Sequence, residues 1–197
     1  MKEFDIQLVL REYSLLEVDM KNHNTKAVLY HDVCAAPPAQ QVQDFIALAQ
    51  AADWDVCVIA TPQATKFIDI PLLEELTGHP VRSEYKPIGT PDVWPKIDAM
   101  VVAPMTLNTT TKWAQGNADT LALSQLCKGM GLGLPIVAAP CITGPYSRHP
   151  AFPQSIDLLR DYGVRVLYDP ENYPAPRIVP WEIILHTLHD AVHSVSI

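Results

Sequence analysis

The chain has 197 residues, 48% hydrophobic and 18% charged, which is typical of one globular domain with a full-sized core and excludes a disordered chain. Its net charge of −8, from 14 Lys and Arg against 22 Asp and Glu, disfavours nucleic acids and anionic membranes as partners. No apolar stretch approaches the roughly 20 residues that span a bilayer, and the N-terminus lacks a secretory signal pattern, so we expect no membrane span and a cytoplasmic location.

The first 25 residues show no single hydrophobic period. Their leucines and valines fit either an amphipathic helix or a pair of short strands. We interpret residues 1–25 as an N-terminal arm that packs on the domain or on a neighbouring subunit. Residues 26–197 are predicted to form one domain, because no composition shift or internal repeat divides them.

A regular alternation of strands and helices begins with a predicted strand at residues 27–30. Pro37-Pro38 suit the first turn of the helix that follows, since the N–H groups of that turn lack partners in any case. The apolar face of this helix has the spacing i, i+3, i+4 and i+7, on Val42, Phe45, Ile46 and Ala49. Residues 55–60 then form a nearly continuous apolar run, which is expected of a parallel strand covered on both faces.

The central part of the chain contains two further predicted strands. Residues 72–76 are predicted to form a helix, and residues 80–85 a short strand. Residues 99–103 are predicted to form the next strand. Pro104 and a polar loop then lead into a helix from about Thr110.

The last third of the chain continues the same alternation. We predict a helix over residues 120–128, a strand at 135–139, a helix ending near Gly163, a strand at 164–168 and a terminal helix from Trp181. The glycine-rich residues 129–133 resemble a dinucleotide-binding loop, but such loops follow a strand and open a helix. Here they follow a helix, so we predict a helix stop. The whole pattern predicts a doubly wound parallel α/β sheet with helices on both faces.

Small and polar residues follow four of the predicted strands, at residues 31–36, 61–67, 104–109 and 140–144. In an open parallel sheet, ligands bind outside the carboxyl ends of the strands. A single loop of this composition also occurs without any ligand. Because four such loops are expected at one edge of the sheet, the sequence predicts a binding pocket there.

The cysteines and the C-terminal histidines do not have the spacing of a metal site. No two of the four cysteines are arranged as CxxC. We interpret Cys57, which lies in an apolar strand, as a small buried hydrophobic residue. Cys141 follows a strand end, where functional residues often lie. His186, His189 and His193 share one face of the terminal helix. Three ligands on one helix would need unusual geometry, so we interpret them as a solvated or subunit-facing stripe and expect no metal.

Two of the loops resemble the homo-oligomeric, flavin-containing cysteine decarboxylase family, which includes phosphopantothenoylcysteine decarboxylases and enzymes that decarboxylate C-terminal cysteines of peptide antibiotics. Residues 103–109, APMTLNT, resemble its Ala-Pro-Ala-Ser/Thr-Ala-Asn-Thr signature, and Lys112, Gly116 and Asp119 stand where that family has the same residues. Residues 60–67, ATPQATKF, resemble its Thr-Pro-x-Ala-x-x-Phe segment. The similarity extends over most of the chain.

The resemblance implies a Rossmann-like, flavodoxin-like domain that binds FMN between the subunits of a homotrimer, which in that family often assembles into a dodecamer. The positions that it places at FMN are Thr61, Thr65, Phe67, Thr106, Asn108, Thr109 and Ala35. Asn108 would also act in catalysis by orienting the substrate, and Cys141 and Thr143 would lie at the substrate. The implied substrate is a small molecule or a peptide terminus that carries a thiol. The implied reaction oxidises its cysteine side chain, after which CO2 leaves.

Three positions depart from that family pattern. Residues 32–36, DVCAA, replace its Gly-Ser-Ile-Ala-Ala, which removes a phosphate-binding hydroxyl and introduces the carboxylate of Asp32. Thr90 stands where the family has its catalytic His, and Thr143 where it has a carboxylate-binding Asn. A missing base costs roughly 10²–10⁴-fold in rate. Either the chain is an FMN enzyme with altered catalytic groups, with His31 or His149 as replacement base, or it is a non-catalytic flavin-binding or regulatory subunit.

Overall fold

The computed structural model describes residues 26–91 and 94–195, and the predicted N-terminal arm lies outside them. Five parallel strands form one sheet: β1 (Ala27–Val33), β2 (Trp54–Ala60), β3 (Ala99–Met105), β4 (Ile136–Pro140) and β5 (Arg165–Val166). Their order across the sheet is β2-β1-β3-β4-β5. This order is that of flavodoxin-like doubly wound folds, in which the chain changes its winding direction at β1.

Within the described residues, seven α-helices connect and cover these strands. They are α1 (Val42–Ala51), α2 (Ile70–Thr77), α3 (Leu107–Ala114), α4 (Leu121–Gly131), α5 (Gly144–Ser147), α6 (Ala151–Asp161) and α7 (Trp181–Val195). Short 3-10 turns at Pro37–Gln41 and Ala64–Lys66 precede α1 and α2. None of the helices in the described part of the chain is long and apolar enough to cross a bilayer.

Two apolar layers cover the two faces of the sheet, which confirms the predicted doubly wound architecture. Alternate residues of β1 belong to different layers. Leu29 packs with Phe45 of α1 and Leu188 of α7 on one face, whereas Tyr30 and Trp113 of α3 belong to the layer on the other. Because β3 lies at the centre of the sheet, all seven of its residues are buried.

The predicted strand at residues 80–85 is wrong. Only Arg82 pairs with the sheet, through one isolated bridge to Ile59 of β2. The N–H of Arg82 donates to the Val58 carbonyl and its own carbonyl accepts from Ala60. Pro80 has no N–H to extend the ladder, so the segment touches the edge of the sheet at one residue and leaves it.

The predicted helix stop at residues 129–133 is confirmed, although α4 continues to Gly131, three residues beyond the predicted end at residue 128. Gly129 lies inside the helix, where a Cβ atom would overlap the Sδ atom of Met100 on β3. The glycine at this position therefore allows a close approach between helix and sheet. The turn out of the helix is made by Gly133, with a φ of 67°.

The strand predicted at residues 164–168 is shorter than expected. Its ladder with β4 covers Arg165–Val166, and the N–H of Leu167 adds one bond to the Ala138 carbonyl. β1, by contrast, is longer than predicted and continues through Val33, so that His31 and Asp32 lie within the sheet.

Candidate functional site

The loops that follow β1, β2 and β3 are joined by backbone hydrogen bonds at the carboxyl edge of the sheet. The N–H of Cys34 donates to the Pro104 carbonyl over 3.1 Å, and the N–H of Thr61 donates to the Val33 carbonyl over 2.9 Å. The β1 loop is thus held between the other two. This edge, at the point where the winding direction changes, is where doubly wound sheets bind their ligands.

The β2 loop offers one uncommitted hydroxyl. Its backbone folds into a 3-10 turn in which the N–H of Ala64 donates to the Thr61 carbonyl over 2.8 Å. The Thr65 hydroxyl donates to the Pro62 carbonyl over 2.8 Å, so its proton is used within the turn. Thr61 is half-buried and its hydroxyl makes no hydrogen bond to the described residues. Phe67 is half-buried, next to this turn.

The β3 loop presents the N-terminus of α3, which begins at Leu107, three residues earlier than predicted. Thr106 has the extended backbone of an N-cap, with φ −95° and ψ 163°, but its side chain does not cap the helix. Its carbonyl accepts from the N–H and the hydroxyl of Thr110. The N–H groups of Leu107, Asn108 and Thr109 have no carbonyl partner within the helix, and the Asn108 side chain is exposed.

A buried polar cluster joins the β1 and β3 loops. The Cys34 thiol donates to the Thr109 hydroxyl over 3.2 Å, and the Thr106 hydroxyl donates to the same oxygen over 3.4 Å. Burial raises the pKa of Cys34 to about 11, although the hydrogen bond to Thr109 opposes this rise. The thiol therefore keeps its proton at neutral pH. Cys34 is a hydrogen-bond donor here rather than a nucleophile.

Asp32 lies beneath this cluster. It is two residues before Cys34, and its side chain is on the same face of the sheet. It is 1% exposed, and neither carboxyl oxygen has a hydrogen-bond partner. Burial raises the pKa of this carboxyl well above its usual value. Burial without a partner therefore favours the neutral, protonated form of Asp32.

His31 points to the opposite face and is fully buried. Its Nε2 donates to the Ala103 carbonyl over 2.7 Å, and its ring packs edge-on against Phe45 and, at 6.4 Å between centroids, Trp181. Burial lowers the pKa of His31 to about 4. The sequence made His31 a candidate for the replacement base. A neutral imidazole that is enclosed by aromatic rings is not suited to that role.

Thr90, at the position of the missing histidine, and His149, the other candidate replacement base, are both at the surface. Thr90 is exposed, and its N–H donates to the Pro87 carbonyl over 3.1 Å. His149 is also exposed; its Nδ1 accepts from the N–H of Ala151 at the start of α6 over 3.2 Å. The hydrogen bonds of Thr90 and His149 lead to neither Cys34 nor Thr109.

The β4 loop reaches the same edge, through a bond of 2.8 Å from the N–H of Cys141 to the Met105 carbonyl. The Cys141 thiol donates to the Pro176 carbonyl over 3.4 Å, and burial raises its pKa. Thr143 is exposed and precedes α5 without capping it through its side chain. Of the two predicted substrate residues, Cys141 thus lies beside the β3 loop.

The histidine stripe of α7 is divided among separate partners. His189 accepts from the Trp54 indole over 3.2 Å, His186 lies 3.3 Å from Asp190, and the Nδ1 of His193 donates to the His189 carbonyl. Within residues 26–91 and 94–195, no three His, Cys, Asp or Glu side chains form a group that could hold a metal ion.

Sequence reasoning missed that Asp32 is buried within β1, beneath the Cys34–Thr109 cluster. Because His31 and Asp32 are consecutive polar residues, the apolar pattern gave no signal that β1 continues through them. Sequence reasoning also missed the Cys34–Thr109 hydrogen bond. That contact depends on how the β1 and β3 loops meet, which residue spacing alone does not specify.

A family model described as Flavoprotein matches residues 38–193 of the chain. Among solved structures, the chain is similar to the FMN-dependent cysteine decarboxylase SpaF, with a TM-score of 0.69 and 23% identity over 84% of this chain and 97% of that one. The cypemycin decarboxylase CypD gives 0.69 and 22% over 86% and 95%. The FMN binding protein AtHal3 gives 0.69 and 17% over 86% and 98%. These structures share the fold of this chain. No curated protein sequence matches it.

Proposed function

The chain belongs to the Flavoprotein family, and from this premise we propose that it binds FMN at the carboxyl edge of β1, β2 and β3. The observation that carries the proposal is the meeting of the three loops, in which Cys34 bonds to Pro104 and Thr61 to Val33. They bring uncommitted donors to the point where the winding direction changes, which is where flavodoxin-like sheets hold FMN.

The residues of the β2 and β3 loops fit such a ligand. The Thr61 hydroxyl and the first N–H groups of α3 are free to donate, and a helix N-terminus favours an electron-rich or anionic group. Phe67 and Ala35 would supply apolar contact, and Thr65, Thr106 and Thr109 would complete the polar wall. Two of the three structures compared above are described as FMN-dependent or FMN-binding, which supports FMN as the flavin.

We further propose that the chain acts on the cysteine of a small molecule or a peptide terminus. A bound flavin would supply the two-electron oxidation that allows the carboxylate to leave as CO2. The exposed Asn108 amide would orient the substrate, and Cys141 and Thr143 would contact it from the β4 loop. The names of SpaF and CypD as cysteine and cypemycin decarboxylases support this reaction.

The alternative is a flavin-binding or regulatory subunit without catalysis. It is favoured by two observations: residue 90 is a threonine where the resembled family has its histidine, and the candidate replacement His31 is enclosed in the core. Loss of a general base costs about 10²–10⁴-fold in rate. If the chain is an enzyme, another side chain or the substrate itself would need to accept the proton that the missing base would take.

The visible spectrum of the purified protein tests FMN binding directly. We expect a flavin spectrum, and release of FMN on denaturation, identified by its mass. A colourless protein that also fails to take up added FMN would overturn the proposal. If FMN is bound, anaerobic incubation with cysteine-terminated peptides and small cysteine derivatives separates the two alternatives. An enzyme bleaches the flavin and releases CO2, whereas a binding subunit does neither.

Assembly and location belong to the same proposal. We propose a homotrimer, or a dodecamer built from trimers, in the cytoplasm, with FMN between subunits. Native mass spectrometry of the FMN-loaded protein measures the subunit count. A monomer that retains FMN at nanomolar concentration would contradict a site that needs two subunits.

A further inference from the structure

A groove opens at the amino-terminal edge of the sheet, which is the edge away from the proposed flavin site. Its volume is about 280 Å³, and it lies between the starts of β4 and β5, the ends of α4 and α6, and the last turns of α7. Most of its lining is apolar. The apolar lining includes Met130, Leu134, Ile136, Val164 and Ala191.

Two exposed apolar side chains border this groove. Leu132 is 62% exposed and lies in the turn between the lining residues Met130 and Gly133. Tyr162, itself a lining residue, is 58% exposed. Exposed apolar side chains that adjoin an apolar groove indicate a surface that a partner covers. We call the groove together with Leu132 and Tyr162 the basal surface.

The basal surface also contains a guanidinium group without a counterion. The Nη2 atom of Arg165 donates to the Ser194 hydroxyl over 2.8 Å and to the Asp190 carbonyl over 3.3 Å. No carboxylate of residues 26–91 or 94–195 forms an ion pair with Arg165. A partner that fits this surface therefore combines apolar side chains with at least one acidic group.

The described chain enters the fold at the same edge. Lys26 directly precedes β1, and the five strands are parallel, so their starts share one edge of the sheet. Leu29 pairs with Ala99, and Met100 pairs with Ile136, so β1 and β4 begin at similar heights. Neighbouring strands are about 4.8 Å apart, which puts β4 roughly 10 Å and β5 roughly 14 Å from β1. Five extended residues span about 17 Å, so the residues that precede Lys26 can reach the groove.

Residues 1–25 have the composition that the basal surface requires. Nine of the side chains in residues 4–18 are apolar or aromatic. Residues 1–25 contain five Asp and Glu against three Lys and Arg, so this segment is acidic. They lie outside residues 38–193, which the family model matches. Where residues 1–25 pack is therefore a property of this chain and not of the shared fold.

We propose that residues 1–25 dock on the basal surface of the same molecule, with apolar side chains of residues 4–18 in the groove and an acid at Arg165. The residues nearest Lys26 form the connection across the edge of the sheet. The docked segment covers Leu132 and Tyr162 and so removes an apolar patch from solvent. Because the basal surface is at the edge away from the flavin loops, this inference does not depend on the proposed function.

Photo-crosslinking of the 197-residue chain tests the contact. The photoreactive residue p-benzoylphenylalanine replaces Leu132 in one variant and Tyr162 in another. A control variant has it at Tyr146, which is 61% exposed in α5, after the carboxyl end of β4. We expect irradiation to link the first two positions to peptides from residues 1–25, and the control position to none of them. Mixing isotope-labelled with unlabelled chains before irradiation shows whether each link lies within one molecule.

Three crosslinking results would overturn the proposal. The first is that neither Leu132 nor Tyr162 is linked to residues 1–25. The second is that the links join labelled to unlabelled chains, which would assign the basal surface to an interface between copies. The third is equal linking from position 146, because the segment would then have no preferred surface.

Cleavage by trypsin after Arg11 gives a second, quantitative measurement. Its rate follows the fraction of molecules in which the segment is released. Burial of one leucine is worth about 1.5–3 kcal/mol, so Leu132→Glu should accelerate this cleavage about tenfold or more. Tyr146→Glu, which makes the same change of charge, should leave the rate unchanged. An equal rate in the wild type and Leu132→Glu would contradict docking, and thermal unfolding verifies that both variants keep the fold.

Discussion

The thiol of Cys34, just after β1, donates to the hydroxyl of Thr109 in the first turn of α3 across 3.2 Å. This hydrogen bond joins the two loops between which a flavodoxin-like sheet opens its ligand site. Both partners are buried, at 1% and 4% exposure. The β1 loop therefore fixes the position of the α3 N-terminus. Substitutions of Cys34 or Thr109 should change the affinity for the ligand.

Thr109→Val tests this connection. Valine keeps the shape of threonine but neither accepts from Cys34 nor donates to a ligand, so FMN affinity should fall about tenfold. Thr111→Val is the matched control, because the Thr111 hydroxyl bonds only to carbonyls of its own helix. Fluorescence titration with FMN measures both. Equal affinities of the two variants would argue against a ligand contact at Thr109.

Asn108→Ala should abolish turnover of a thiol substrate while leaving FMN bound, because the exposed amide is assigned to the substrate. Stopped-flow bleaching of the flavin under anaerobic conditions measures this, beside Asn117→Ala as a control with another exposed asparagine beyond the end of α3. Unchanged bleaching by Asn108→Ala would remove Asn108 from its proposed role. Loss of activity in both variants would indicate a general effect on α3.

Asp32→Leu should stabilise the apo protein, increasingly so as pH rises. The folded-state pKa of Asp32 is raised above its usual 3.8, so the unfolded chain releases this proton first and wild-type stability falls from about pH 3.8 upward. At neutral pH we expect a gain of about 2 kcal/mol in the free energy of unfolding. Urea unfolding across pH measures it.

Asp98→Leu provides the contrasting variant for that experiment. The Asp98 carboxylate accepts from the N–H of Val28 over 2.8 Å, so its loss should lower stability. If Asp32→Leu is destabilising as well, Asp32 is ionised and paired in the folded protein.

His31 should lower the free energy of unfolding at acid pH. This pH dependence has the opposite sign to that of Asp32. Its folded-state pKa is lowered from 6.5 to about 4, so its contribution is complete above pH 6.5 and is lost as pH falls towards 4. The loss reaches about 3 kcal/mol, at about 1.4 kcal/mol per pKa unit. His31→Phe, in which the new ring replaces the imidazole between Phe45 and Trp181, should remove most of this loss of stability at acid pH. The control His186→Gln, on the exposed face of α7, should leave it in place.

Gly129→Ala should destabilise the protein by about 1–3 kcal/mol, because the new methyl group would overlap Met100. Gly131→Ala in the same helix meets no atom within 4 Å and should stabilise it by about 0.5–1 kcal/mol. Thermal unfolding of the two variants measures the difference in sign. Similar stabilities would mean that α4 shifts away from β3 at little cost.

Most of the sheet could be predicted because its strands are apolar on both faces and alternate with amphipathic helices. β2 and β3 are examples, with nearly every residue buried. The end of β1 was missed because residues 31–33 include an imidazole and a carboxyl, which usually mark a loop. Only the packing of both faces shows that these groups are enclosed.

The candidate site was predictable in its loops but not in its hydrogen bonds. The residues 61–67 and 104–109 follow strands, so their position at the carboxyl edge follows from the winding rule. The winding rule does not tell which of their hydrogen-bond donors are uncommitted. The Thr65 hydroxyl bonds within its own turn, whereas the Thr61 hydroxyl does not. Such differences depend on backbone geometry of a few tenths of an ångström, which the residue types do not determine.

The enclosed carboxyl of Asp32 also has a consequence for refolding. In the unfolded chain at neutral pH this group is ionised, whereas burial in the native protein favours its protonated form. Folding at neutral pH should therefore take up a proton from the solvent at Asp32. Refolding in a weakly buffered dye solution should turn the medium more alkaline. The same solution should show no such change with Asp32→Leu.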